Sequence, residues 1–383
     1  MRVLLASSAS YDPPRGGSTH SNRAWLGELR ARGHECEVVA GSEPAENPAL
    51  QKLALRSRIL DWRPDVVLVS SEDLSHMLLR EAHHSAPGRV VYLAHTPQFF
   101  PFGPESWNPD PQAAELVRRS AAIVAIGHHM AGYIERALGI RPHIIHPPIY
   151  GGGPFERYSG GEFVTMINPS AVKGISIFLA VARVLPGVLF AALPGWATNV
   201  SDRQELAALA NVSMLQPIER IDEFLRRTRV LLMPSLWYEG FGLIIMEAML
   251  RGIPVIASDS GGLKEAKAGT GYVLPVRPIE RYERQYDDRR MPCAIVPPQD
   301  VEPWVAAVRT LAGDSAEWER ESEQSFRAAT QFVAAQPANA LEELLTSLEP
   351  AGPSPEPVGG VAALSPEKRA LLLRRLHRMK YGG

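Results

Sequence analysis

Cysteine is nearly missing from this chain: only Cys36 and Cys293 occur in 383 residues. Two distant cysteines make no disulfide framework and have no metal-ligand spacing, so a reducing compartment is expected. No segment approaches the roughly 20 apolar residues that a membrane-crossing helix needs. The opening "MRVLLASSAS" has a very short apolar run, and Tyr-Asp-Pro-Pro-Arg follows where a leader's cleavage region would stand, so it reads as a first strand. There is no excess of either charge: 40 Lys and Arg against 42 Asp and Glu leave −2, with nothing to attract nucleic acid. Three further absences narrow the chemistry: no P-loop, no nucleophile elbow, and no Asp-x-Asp to clamp a metal-diphosphate. The expectation is a cytoplasmic protein with no resident cofactor or metal, no strong membrane association, and no predicted oligomeric state.

What is present is a globular composition, 45% hydrophobic and 21% charged, on a chain long enough for two domains. Short apolar runs at 2–7, 35–41, 64–70, 89–95, 121–127 and 142–148 alternate with helical patterns. A helix through Trp25 and Leu29 ends at Gly33. Such alternation predicts a doubly wound parallel sheet. The Gly-rich "PPIYGGGPFERYSGGE" interrupts it, and the alternation restarts with "EFVTMIN", "VLFAAL", "VSMLQ", "RVLLMP", "IPVIASD" and "GYVLPV". The fold class is α/β, with two Rossmann-like halves. The predicted division is an N-terminal domain over 1–150, a linker over 151–162, and a C-terminal domain over 163–349. The polar stretch 277–292 reads as a surface loop, and helices near 301–312, 316–335 and 339–348 close the second domain. Residues 350–383 read as a flexible tail ending in a short basic helix, with Ser365 as N-cap and Pro366 at N1.

Ligands of open α/β sheets sit at the carboxyl ends of the strands. Lys173, in "MINPSAVKGIS", follows a strand and opens a helix, a place that suits an anion. Glu239 follows "RVLLMP" and Glu247 stands in the next helix, roughly 12 Å further on if the intervening stretch is helical. A carboxylate accepts from both hydroxyls of a diol, so the pair suits a sugar at one end and a ribose at the other. Gly261-Gly262 forms another strand-to-helix turn, where a ligand could approach the backbone closely, with Glu265 in reach. In the first half, Gly16-Gly17 stands at the matching turn, without G-x-G-x-x-G spacing. His95 ends "RVVYLAH" beside the aromatic loop 97–107.

These residues resemble the retaining glycosyltransferases of family 4, which have the two-domain GT-B fold with Rossmann-like domains facing across a cleft. The similarity runs over most of 1–345. It is most specific in the Glu-x7-Glu segment "EGFGLIIMEAMLRGIPVIASDSGGLKE", with support from "PPRGGSTHSNRAWLGELRARGHE", "LAHTP" and "NPSAVKG". The resemblance implies that Glu247 binds the donor ribose, and that Glu239, Gly240, Phe241, Gly242 and Leu243 hold the donor sugar. Lys173 would meet the diphosphate, Gly17 would lie near the reaction centre, and His95 would position or polarise the reacting groups. The implied catalytic set is His95, Lys173 and Glu239. One departure stands out: the family's arginine ahead of the lysine is Asn168 here, which offers neutral hydrogen bonds and no charge. Either another cation, Arg220 or Lys264, would compensate, or the donor would differ from the family's usual one.

The implied activity is retaining transfer from a UDP-, GDP- or TDP-linked sugar to a hydroxyl-bearing acceptor, by front-face attack in which the leaving phosphate takes the acceptor proton. Domain closure would exclude water. The acceptor is expected near Gly16, Gly17, Thr19, His20, His95 and Phe99. Phe99, Phe100, Phe102 and Trp107 suggest a natural product or glycoside, with at least two of these rings serving as packing. Rival readings are a nucleotide-sugar epimerase on the same fold and a non-catalytic sugar-nucleotide binding module.

Overall fold

The computed structural model describes residues 1–14, 16–41, 48–216 and 220–349, together with 364, 365, 367, 368 and 371. The chain divides into two compact units, Met1–Ile149 with Pro337–Gly383, and Tyr150–Gln336.

The first unit is built on β1 (Arg2–Ser10), β2 (Glu35–Gly41), β3 (Val66–Ser70), β4 (Val90–Ala94), β5 (Ala122–Ala125) and β6 (His143–Ile144). They form one parallel sheet in the order β2-β1-β3-β4-β5-β6. Every residue of β3, β4 and β5 is buried. That explains their unbroken apolar runs, since a parallel strand is covered by helices on both faces. The helix Gly16–Ala31 turns Trp25, Leu26 and Leu29 inward. Gly33, in the left-handed region at φ 88°, stops the chain just beyond it.

The second unit contains β7 (Phe163–Ile167), β8 (Phe190–Leu193), β9 (Val212–Met214), β10 (Thr228–Met233), β11 (Val255–Ser258) and β12 (Val273–Leu274). Their order is β12-β11-β10-β7-β8-β9, again all parallel. Each sheet therefore has a switch point: the chain winds away from β1 in both directions toward β2 and β3, and from β7 toward β8 and β10. Such points are where side chains at strand ends can diverge around a ligand.

Three elements differ from the sequence expectation. The stretch expected as a surface loop contains an antiparallel hairpin, β13 (Tyr282–Tyr286) with β14 (Pro292–Ala294). Part of the expected linker is fastened to the second unit. Tyr158 N donates to Arg251 O at 2.8 Å, its hydroxyl donates to Asp222 at 3.0 Å, and a Cβ on Gly161 would lie 2.0 Å from the Arg227 carbonyl carbon. The helix Ala340–Ser347, expected to close the second domain, belongs to the first unit. There His34 Nε2 meets Glu342 at 2.9 Å and Arg32 donates to Ala338 O at 3.0 Å. Its partner at the other end of the chain is invisible in a local pattern.

The helix Ser315–Ala334 stays with the second unit. Lys267, fully buried, donates to Val255 O at 2.6 Å and lies 3.6 Å from Glu321 on that helix. Among the described residues no helix is long and apolar enough to cross a membrane. Lys368 N donates to Ser365 Oγ at 3.4 Å; apart from 364, 367 and 371, the other residues of the expected tail helix, with its linker, lie outside the described residues.

Candidate functional site

In the second unit the polar residues gather at the β7/β10 switch point. Asn168 follows β7 at φ 54°, a left-handed conformation that asparagine tolerates because its short amide can bond nearby. Its Oδ1 accepts from Ala197 N at 2.9 Å and Thr198 Oγ1 at 3.4 Å, pinning the loop after β8. The loop comes so near that a Cβ on Gly195 would stand 2.6 Å from that oxygen. Asn168 Nδ2 and Ser170 Oγ are buried without a hydrogen-bond partner. An unmet buried donor costs about 1–3 kcal/mol, so these two atoms mark where a ligand or water belongs.

Lys173 and Glu239 meet directly. Gly174, at φ 82°, lets the loop after β7 touch the loop after β10; any Cβ there would lie 1.9 Å from Pro234 O. Leu236 N completes the contact by donating to Val172 O at 2.9 Å. Lys173 Nζ then donates to Glu239 Oε1 at 2.5 Å and sits 4.2 Å from the centroid of the Trp237 ring. Ser235 Oγ donates to the same carboxylate oxygen. Burial pulls the Lys173 pKa down while the Glu239 charge and hydrogen bond push it up. Neither bond uses Glu239 Oε2.

Gly242, at φ 97°, opens the helix Leu243–Met249, and Phe241 anchors it by stacking on Phe332 with ring centroids 5.8 Å apart. Glu247 lies one turn in. Burial lifts its pKa to about 7, with Arg251 opposing and Asp222 assisting. Arg251 is committed elsewhere, to Asp222 at 2.6 Å and to Glu247 O at 2.8 Å. The Tyr150 hydroxyl is buried without a partner, and burial together with the Glu247 charge raises its pKa.

Gly261-Gly262 has a different role from the one expected. A Cβ on Gly261 would lie 2.2 Å from Glu239 O, and one on Gly262 would lie 2.4 Å from Gly240 O. Gly262 N also donates to Glu239 O at 2.9 Å. What approaches these glycines is the protein's own backbone, so they shape the Glu239–Phe241 loop.

The hairpin adds residues that sequence reasoning missed. A cavity of about 140 Å³ lies between Ser170–Val172, Ala197 and Asn199 on one side and Asp287 with Met291–Ala294 on the other. Asp287 ties the turn: Oδ1 accepts from Arg289 N at 2.9 Å and Met291 N at 2.8 Å, and Oδ2 accepts from Asn199 Nδ2 at 3.3 Å. Arg289 donates to Gly195 O at 3.2 Å, which brings a cation to the loop that Asn168 pins. Arg220 and Lys264, the cations expected to replace the missing arginine, are both exposed. The turn-forming Asp-Asp-Arg-Arg that follows the tyrosine-bearing arm Tyr282–Tyr286 was the available signal.

In the first unit Gly16, at φ 73°, starts its helix, with Gly17 and His20 exposed and Thr19 buried. His95 is 2% exposed and donates through Nε2 to Asn22 Oδ1 at 3.0 Å. Phe99 is half-buried against Trp107, ring centroids 5.6 Å apart. Phe100 and Phe102 are buried and lie against each other, tilted by 33° with ring centroids 5.0 Å apart, so these two rings are packing.

Comparison with known proteins agrees with this architecture. Residues 173–288 match the family model of glycosyl transferases group 1. A curated relative, an exopolysaccharide phosphotransferase of Streptomyces coelicolor, is 27% identical over 166 residues, 40% of this chain and 16% of the relative. The chain thus spans only a small part of that relative's length. Among solved structures, Anabaena HepE in complex with UDP and glucose superposes with a TM-score of 0.64 at 16% identity, over 91% of this chain and 100% of HepE. Sucrose-phosphate synthase of Thermosynechococcus elongatus gives 0.67 at 17% identity, over 90% and 97%. The chain is a two-unit α/β protein with the GT-B fold. Within the second unit, residues 173–288 are similar to glycosyl transferases group 1.

Proposed function

We propose that this chain transfers a sugar from a nucleotide-diphospho-sugar to a hydroxyl-bearing acceptor, with retention at the anomeric carbon. The observation that carries the reading is the Lys173–Glu239 pair at the switch point, followed by Glu247 in the next helix. Charge develops on the departing diphosphate, and Lys173 is held where a cation can meet it. Glu239 keeps one oxygen clear of the lysine bond for a sugar hydroxyl, and Glu247 serves the ribose. Asn168 Nδ2 offers the diphosphate a neutral hydrogen bond where the family has an arginine. The leaving phosphate takes the acceptor proton, so no paired carboxylate nucleophile and base is required. A UDP-sugar is the first donor to try, because HepE is seen with UDP and glucose. The acceptor is placed by this reading with Gly16, Thr19, His20 and Phe99 in the first unit, and a natural product or glycoside fits the half-buried Phe99–Trp107 pair.

The test is a thermal-shift panel of UDP-, GDP-, TDP- and ADP-sugars. A ligand at 100 times its Kd raises stability by about 2.7 kcal/mol. A melting temperature unmoved by all four would sink the donor reading. With the donor known, the anomeric configuration of the product decides between retention and inversion, and turnover without an acceptor would favour the epimerase.

A further inference from the structure

A buried hydrogen-bonded chain in the first unit has its direction set at one end. The Glu72 carboxylate can only accept. Ser70 Oγ therefore donates to Glu72 Oε2, which uses the hydroxyl's one hydrogen. Whatever reaches Ser70 from the other side must be a donor, and that is Asn22 Nδ2 at 3.1 Å. The amide is thereby oriented, with Oδ1 turned toward His95. His95 Nε2, at 3.0 Å from that oxygen, has to carry the hydrogen. The other ring nitrogen, Nδ1, is buried and has no hydrogen-bond partner. Nor is the ring loose: its backbone N–H donates to Ser71 Oγ at 3.0 Å, and Trp25 lies against it with centroids 5.6 Å apart. Burial favours the neutral imidazole, only partly offset by the Glu72 charge.

We propose that Asn22, oriented by Ser70 and Glu72, is a positioning residue that fixes His95 as the Nε2–H tautomer and leaves Nδ1 as an acceptor for a substrate hydroxyl. In a neutral imidazole one nitrogen donates and the other accepts, and the partner of one decides the role of the other. His95 would thus polarise an O–H by accepting from it, and cannot act as a donor to the leaving oxygen while neutral. The identity of the hydroxyl rests on the glycosyl-transfer reading; the tautomer does not.

The experiment is nitrogen NMR of the full chain with isotope-labelled histidine near neutral pH, with His95 assigned by loss of its signals in His95→Gln. The expected spectrum has Nε2 protonated and Nδ1 bare, and Asn22→Leu, checked for an intact melting transition, loses that preference. If Asn22→Leu does not fold, Ser70→Ala is used, because it frees the amide to flip while keeping Asn22. A wild-type Nδ1 that carries the proton, or an unchanged tautomer in the folded variant, overturns the proposal. UDP and UDP-glucose are then compared. Movement of Nδ1 with UDP-glucose but not UDP assigns the hydroxyl to the donor sugar, and movement only on adding a methyl glucoside to the UDP complex assigns it to the acceptor. Movement with neither, when a melting shift shows that nucleotide is bound, overturns the hydroxyl role. Absence of any melting shift would refute the donor reading and leave the tautomer result standing.

Discussion

Glu247 is the residue where pH and binding meet most directly. Its folded pKa of about 7 stands above the ordinary 4.5. Between those values the folded chain holds more protons than the unfolded one, so this group's contribution to stability falls as pH rises through that window. Binding runs the other way. A carboxylate accepts from two ribose hydroxyls and a carboxylic acid accepts less well, so UDP affinity should rise as pH climbs through about 7. Calorimetric titration of wild type and Glu247→Gln isolates the effect, because the phosphate's own titration is common to both. Parallel pH profiles would refute it. At Lys173 the expected loss for Lys173→Met is about 10²–10³ in kcat. That variant also strands Glu239, so Lys173→Met/Glu239→Gln should recover melting temperature without recovering activity. Lys173, Glu239 and Glu247 were legible as candidates, because each is a charge at a strand end or in the helix that follows an apolar strand. Their pairing was not: the Lys173–Glu239 contact depends on Gly174 touching Pro234, a tertiary fit that no spacing reveals.

At the scale of elements, the twelve strands of the two sheets coincide with apolar runs, most plainly in β3, β4, β5, β8 and β11, where every residue is buried between covering helices. β13 and β14 did not, since most of the β13 arm is exposed and polar and its pairing lies only with the other arm. If the cavity they wall is part of the donor site, Cys293 reports on it. In a Cys36→Ser background, UDP should slow alkylation of Cys293 by iodoacetamide several-fold; an unchanged rate in the presence of bound UDP would place the nucleotide elsewhere. Burial with the Asp287 and Glu283 charges raises this thiol's pKa, so labelling should also speed up with pH. A second prediction concerns the helix Ser315–Ala334. Burial lowers the Lys267 pKa to about 8 against the pull of Glu321. Between about 8 and the ordinary 10.5 the unfolded chain holds more protons, so this lysine's contribution to stability rises with pH in that window. Glu321→Gln leaves a buried ammonium without its counter-charge and should cost about 3–5 kcal/mol in chemical denaturation. Replacing both, as Lys267→Met/Glu321→Leu, should return stability to near wild type.

For the molecule as a whole, the division into two Rossmann-like units followed from counting alternations, whereas the ownership of the helix Ala340–Ser347 did not. The pattern of Ala340–Ser347 says that Leu341, Leu344 and Leu345 seek a surface, and nothing local says whose. A chain cut after Gln336 should therefore lose stability in the first unit and leave the second nearly unchanged. Hydrogen exchange should find faster opening around Arg32 and His34, with little change around β7 and β10. Equal loss in both units would contradict that assignment.

The return of this helix also bears on synthesis. A ribosome completes β1 through β6 early, yet the segment that covers part of that unit emerges only after the whole second unit has been made. Until then the surface that receives Leu341, Leu344 and Leu345 stays open to chaperones and to other nascent chains. A premature stop just after the second unit would thus harm first the part of the protein that was made earlier.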